Sequence, residues 1–426
     1  MSELTNKLKD LAVAAVEENK DELIDLCCRL IQFPSENPPG DSEPISRYIH
    51  EYLERFGIET QWHEAGPKMF NLISRIGNAD EDGKRLIYCG HTDVVPAGDL
   101  SKWEFDPFSG EVKDGWILGR GASDMKGGLA GLIFAATILK RLGVELPGEL
   151  IPAIVPDEET GGELGVPWIL ERKLVEGDGC LIAEPSSPYN PTLGQKGSCW
   201  FQLTVYGKPA HGSLGPIAGK NAILDAMRAI ECIRTVWDYP VTIPDEVKPL
   251  VQISKEYMLG TEREPYQGVL ERISCNIGTI QGGTKSNVVP DTCTVEVDCR
   301  LPFGVTREEV MGYIHGKLDA LGIDYEIKPF GIMSHANYTD PSDPVCRAIV
   351  DNITYVTKEH AYGVQQWASS DARHFRNYNI PVLQYGPAYL PSIHNFNEKV
   401  LVEDVIRCAK VYVAAAIDFL YEKKEA

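Results

Sequence analysis

Hydrophobic and polar positions change their rhythm twice along the chain. Up to about residue 185, continuous apolar runs alternate with helix-length amphipathic stretches. The N-terminal MSELTNKLKDLAVAAVEENKDELIDLCCRL has the pattern of one charged amphipathic helix, and further helices are predicted over 44–56 (PISRYIHEYLERF), 125–141 (MKGGLAGLIFAATILKR) and 163–173. RLIYC at 85–89, ELIPAIV and GCLIA at 179–183 are short runs without polar alternation, as in strands covered on both faces. Strands and helices alternating in this way predict a largely parallel sheet. The Pro-, Ser- and Asn-rich stretch EPSSPYNPTLGQ near 185–195 then marks a boundary.

Beyond that boundary, WFQLTVYG, RISCNIGTI and CTVEVDCRL alternate polar with apolar residues, the period of antiparallel strands with one wet face. Helical patterns over 219–236 and 306–321 accompany them, and the insertion closes near 333. Helices near 342–356 and 400–421, around the strand PVLQY, return to the α/β pattern of the first 185 residues. The expected architecture is an α/β domain with a mixed, mostly parallel sheet, formed by 1–193 and 334–426 and interrupted by an α+β domain over 194–333. No internal repeat is present.

Composition narrows the function. Of 426 residues 43% are hydrophobic, which suits a substantial core, and 62 acidic against 41 basic side chains give a net charge of -21. That balance disfavours nucleic acid and anionic membrane surfaces as partners. Eleven cysteines without a C-x-x-C pair, and an N-terminus unlike a signal peptide, point to a reducing cytoplasm. No uninterrupted apolar run of about 18 residues is found to span a bilayer.

The candidate chemistry gathers just after the apolar strands, where open α/β sheets bind ligands. His91 and Asp93 follow LIYCG and share one side of the strand. Asp124 lies in the glycine-rich turn GRGASDMKGG, Glu158 and Glu159 in PDEETGG after LIPAIVP, Glu184 in AEPS after CLIA, and His394 in GPAYLPSIHNFNE after PVLQY. Alone, each has an ordinary explanation: a helix cap, a dipole complement, a turn cap, a loop histidine. Their recurrence at successive strand ends is better explained by one convergent site. Oxygen and nitrogen donors without thiolate suit Zn²⁺, Co²⁺ or Mn²⁺, and two adjacent glutamates suggest that one binds metal while the other moves protons. H-E-x-x-H, G-x-S-x-G and G-x-x-x-x-G-K-[ST] are all missing, which disfavours zincin, serine-hydrolase and P-loop chemistry.

In order and spacing, GHTDVVPAGD, GRGASDMKGG, PDEETGG, AEPS and the late His394 resemble the M20 metallopeptidase family, the group of acetylornithine deacetylase, succinyl-diaminopimelate desuccinylase, aminoacylase-1 and glutamate carboxypeptidase. The resemblance covers nearly the whole chain. It implies a zinc-peptidase-like catalytic domain carrying a lid or dimerisation domain, and a homodimer. It also implies two divalent metal ions, Zn²⁺ first and Co²⁺ or Mn²⁺ as alternatives. Asp124 would bridge them, His91 and Glu184 completing one shell and Glu159 and His394 the other, with a cis peptide after Asp124. Glu158 would be the general base and Asp93 the clamp on His91. In the inserted domain, His211 in GKPAHGS would stabilise the oxyanion across the dimer, and Asn287 in SNVVP and Arg300 in VEVDCRLP would hold substrate.

The implied reaction is cleavage of the amide bond of N-acyl amino acids by water activated between two metals. Glutamate at 184 favours a deacylase acting on a substrate with a free carboxylate. A metallo-dipeptidase or carboxypeptidase acting on short peptides is the alternative, and a non-catalytic binding or scaffold homologue the remote one. SSDARHF resembles a substrate-side loop of desuccinylases, while GPAYLP and Ile393 depart from the family pattern beside the side-chain pocket.

Overall fold

The computed structural model describes residues 3–78 and 83–422. Up to Leu193 the chain supplies five main strands, β1 (Thr60–Gly66), β2 (Met69–Ser74), β3 (Arg85–His91), β4 (Glu149–Val155) and β5 (Gly179–Ile182). They lie in the order β1-β2-β4-β3-β5, with Val382–Gln384 beyond β5. β3 runs parallel to β4 and to β5, and Val382–Gln384 runs parallel to β5. β1 and β2 form an antiparallel pair, and β2 is antiparallel to β4. The sheet is therefore mixed with a parallel centre, and its ligand-bearing strand ends point one way. In β3 and β4 every residue after the first is buried, which accounts for their unbroken apolar runs. β1 (TQWHEAG) is a half-exposed edge without such a run, and it carries no sequence expectation.

Helices Gly127–Arg141, Pro344–Thr357 and Val402–Tyr421 pack against this sheet, and Glu3–Glu18 packs on Gly127–Arg141 and Val402–Tyr421. Gly127–Arg141 is apolar on all sides and buried from Gly127 through Leu139. The stretch Ala122–Arg141 is long and apolar enough to cross a bilayer by composition, but it is almost wholly buried inside the protein. Its approach to the end of β5 is close: a Cβ on Gly128 would lie 2.1 Å from the Ala183 carbonyl oxygen. Tyr412 Oη donates to the Tyr385 carbonyl at 2.7 Å, and Tyr88 Oη donates to the Tyr412 carbonyl, tying Val402–Tyr421 to the sheet.

The N-terminal stretch is two helices rather than one, Glu3–Glu18 and Lys20–Ile31. They break at Asn19, which leaves helical geometry (φ -113°, ψ 22°) while its side chain donates back to the Ala15 carbonyl at 2.8 Å. The helix expected over 163–173 shortens to Val166–Glu171, because Gly161, Gly162 and Gly165 occupy the preceding turn.

The second unit is built on β6 (Gly197–Tyr206), β7 (Ser274–Gly282), β8 (Thr292–Leu301) and β9 (Asp324–Ser334), antiparallel in the order β7-β8-β6-β9. β8 alternates strictly, burying Cys293, Val295, Val297, Cys299 and Leu301 in a core shared with Ala222–Arg234 and Arg307–Ala320. Thr306 and Glu309 close a capping box at the start of Arg307–Ala320. A further helix, Lys248–Met258, which the apolar pattern does not mark, packs with Val247, Leu270 and Phe303.

By internal contacts the two units are Met1–Leu193 with Thr339–Gly363 and Ser370–Ala426, and Gly194–Tyr338 with Val364–Ser369. The return falls after Tyr338 rather than at 333, because Asn337 and Tyr338 pair with Gln195 and Gly194 inside the second unit. Val364–Ser369, expected in the first unit, also belongs to the second.

Candidate metal centre

β3 delivers His91 with its side chain 1% exposed. His91 Nδ1 lies 2.9 Å from the Asp93 carbonyl oxygen and 3.3 Å from Asp93 Oδ1. On the other side of the ring, Nε2 faces Asp124 Oδ1 at 3.4 Å and Glu184 Oε1 at 3.7 Å. The Asp93 carboxylate has a second task. It accepts the backbone N–H groups of Glu158 and Glu159, each at 3.2 Å, and so caps the turn Glu158–Thr160 that opens the glutamate loop.

Asp124 sits in the turn Ala122–Lys126, and its peptide bond to Met125 is cis. Gly121 enters this turn at φ 83°, where a Cβ would also lie 2.5 Å from Val94 Cγ1, so only glycine fits. The two oxygens of Asp124 serve different imidazoles: Oδ1 faces His91, and Oδ2 lies 3.4 Å from His394 Nε2. Glu159 Oε2 approaches the same His394 nitrogen at 3.2 Å. A Glu158 carboxylate oxygen lies within 4.8 Å of ligand atoms of both His91 and Glu184. His91, Asp124, Glu158, Glu159, Glu184 and His394 therefore converge within the first unit.

His211, Asn287 and Arg300 lie in the second unit. His211 is exposed, and its Nδ1 accepts from the Ser213 backbone N–H at 3.3 Å and lies 2.8 Å from Ser213 Oγ. Asn287, exposed on the β7–β8 loop, accepts the Gly212 N–H on its carbonyl at 2.8 Å, which joins the two loops. Arg300 is already engaged. Its Nε lies 2.8 Å from Asp298 Oδ1, its Nη1 donates to Ser198 Oγ at 3.0 Å, and its guanidinium stacks 5.5 Å from the centre of the Trp200 ring. A substrate carboxylate here would compete with Asp298.

Two residues that sequence reasoning did not single out, Glu398 and Asn37, support the cluster. Glu398, fully buried, accepts the N–H groups of Ser123 and Asp124 on Oε1 at 3.0 and 3.1 Å, and pairs with Arg120 Nη1 through Oε2 at 2.6 Å. Asn37 Nδ2 donates to Asp93 Oδ2 and to Asp157 Oδ1, both at 3.0 Å. Asp371, in the SSDARHF stretch, is buried, and burial raises its carboxyl to about 6. The only sequence trace of Glu398 is its position four residues after His394.

The donor set suits cations. His91 Nε2 and Glu159 Oε1 are buried and form no hydrogen bond. Burial, with Asp371 and Asp124 nearby, raises the Glu158 carboxyl. Burial and Asp124 raise Glu159, and burial and Asp124 raise Glu184 well above the carboxylate range. Burial alone would lower the His91 imidazole, but Asp124 and Asp93 reverse this and hold it well above its usual value. Carboxylates crowded out of water around two imidazoles are short of positive charge, which divalent cations would supply.

The model of peptidase family M20/M25/M40 matches residues 87–418. The chain belongs to this family. Within the M20 group it is 30% identical over 381 residues to succinyl-diaminopimelate desuccinylase of Nitrosomonas europaea, covering 87% of this chain and 92% of the relative. It is 26% identical over 428 residues to N-formyl-4-amino-5-aminomethyl-2-methylpyrimidine deformylase of Bacillus subtilis, covering 96% and 97%. Its fold is similar to that of an M20 family metallo-carboxypeptidase from Sulfolobus solfataricus, with a TM-score of 0.78, 21% identity and coverage of 93% and 99%. This M20 chain thus has the α/β architecture of its family.

Proposed function

We propose that the chain is a metal-dependent amidohydrolase that cleaves the amide bond of N-acyl amino acids. The observation carrying this is Asp124, whose two carboxylate oxygens face two different histidines with Glu158 alongside. His91, Asp124 and Glu184 would hold one divalent ion, and Asp124, Glu159 and His394 the other, Zn²⁺ being first choice and Co²⁺ or Mn²⁺ the alternatives. When bound, such a pair supplies Lewis-acid chemistry, acidifying water and polarising a carbonyl. Glu158 takes the proton of the attacking water and returns it to the leaving nitrogen. Asp93 fixes the His91 ring and, through the two amides that it accepts, the position of Glu158.

The second unit contributes His211 toward the oxyanion, and Asn287 and Arg300 toward the substrate, with Arg300 exchanging Asp298 for a substrate carboxylate. The first unit acts as the catalytic part and the second as a lid or dimerisation part. A homodimer through the second unit is supported by exposed Leu224 and Met227 on Ala222–Arg234. A cytoplasmic setting is supported by the free thiols of all eleven cysteines.

The test is primary-amine release from N-succinyl, N-formyl and N-acetyl amino acids and from dipeptides, with Zn²⁺ or Co²⁺ added and beside a chelated control. Metal-dependent release from one N-acyl class is expected. Equal release in the chelated sample would overturn the metal, and release from dipeptides alone would make the chain a peptidase. Glu158→Ala should lower turnover by about 10²-fold or more with metal content unchanged, measured by elemental analysis.

A further inference from the structure

Three thiols lie side by side across the sheet of the second unit. In the register of β8, Cys299 stands directly opposite Cys275 of β7 on one side and Cys199 of β6 on the other. Directly opposed residues of antiparallel strands have Cα atoms about 4.5–5.5 Å apart, inside the range that a disulfide spans without moving the backbone. The strands differ in access. β7 is the edge of the sheet, and Cys275 is partly exposed, whereas Cys299 and Cys199 are buried in the core beneath Ala222–Arg234.

We propose that Cys275 and Cys299 form an oxidation site, in which a hydroperoxide converts the two thiols into a reversible cross-strand disulfide. Cys275 is the attacking sulfur because it alone of the three is reached from solvent. It is also the more acidic: the Cys299 thiol hydrogen-bonds to it and lowers its pKa, and Cys299 is correspondingly raised. The Cys275 thiolate attacks one peroxide oxygen, the O–O bond breaks, and Cys275 becomes a sulfenic acid as water leaves. The Cys299 sulfur then displaces that hydroxyl, forming the S–S bond and releasing a second water. Two thiols and one hydrogen peroxide thus give one disulfide and two waters. The crosslink pins the edge strand β7 to β8 one residue from Arg300. None of the residues assigned to the hydrolytic reaction takes part in it.

The experiment treats the full-length protein with hydrogen peroxide, alkylates the remaining thiols, digests it and maps linked peptides by mass spectrometry. The expected result is loss of two of the eleven thiols, a linked Cys275–Cys299 peptide pair, and recovery of both thiols with dithiothreitol. In Cys299→Ser the linked pair should vanish and a dimedone probe should label Cys275, whereas Cys199→Ser should leave the pair intact. The proposal is overturned if Cys275 and Cys299 stay alkylatable while other cysteines oxidise, or if Cys275 links instead to Cys199 or to a second copy of the chain.

Discussion

The two imidazoles of the centre are held very differently. The His91 side chain is 1% exposed, at the end of a central strand, and its far nitrogen is fixed by Asp93, which is itself fixed by Asn37 and two backbone amides. The His394 side chain is 50% exposed, at φ 56° in a loop, and its contacts within the cluster are made through Nε2 alone. The His91 half is therefore assembled before any ion arrives, while the His394 half is completed by what it binds. Preorganised ligands lose less freedom on binding, so the two halves should differ in affinity although their donor types match.

Asp124 belongs to both halves, and its loss offers the strongest test. Asp124→Ala should abolish binding of both ions and lower turnover by about 10³-fold or more, checked by elemental analysis and amine release. Retention of one tightly bound ion would break the view of Asp124 as the shared ligand. Glu398 supports that shared ligand from below. Glu398→Ala strands Arg120 and two amides in the core, and should cost about 3 kcal/mol of unfolding free energy in a denaturant titration. Asp93→Ala removes the clamp on His91 together with the cap on the Glu158–Thr160 turn, and should lower metal affinity or activity by about 10- to 100-fold. Calorimetry should assign that loss to the tighter ion. The smallest effect is the difference itself: a chelator should remove the ion on the His394 side first, at a concentration about tenfold lower. Simultaneous release would make the halves equivalent.

What the sequence revealed divides along the same physical line. His91, Glu158, Glu159 and Glu184 were legible because each follows a continuous apolar run, where a polar group at the end of a buried strand stands out locally, and Asp124 because it sits in a glycine-rich turn that opens a helix. Glu398 and Asn37 were not, because their partners, Asp124 and Asp93, are brought to them only by the folded sheet. The parallel strands were likewise legible, whereas the antiparallel β1 and β2 were not; β1, an edge facing water, has no apolar run to show. Asn19 split a helix that its neighbours' pattern continued, because a side chain bonding its own backbone leaves the apolar period intact.

The insertion sets an order of events during synthesis. The core of the first unit is closed by Val402–Tyr421, which packs against Glu3–Glu18 and Gly127–Arg141 and is made after the second unit. The second unit has all but Val364–Ser369 by Tyr338. Growing from its N-terminus, the chain can thus build the later-encoded unit first, while nearly two hundred preceding residues hold their apolar strands open for a helix not yet made. Chains ending before residue 402 would expose those strands permanently, a hazard of aggregation rather than of weak catalysis.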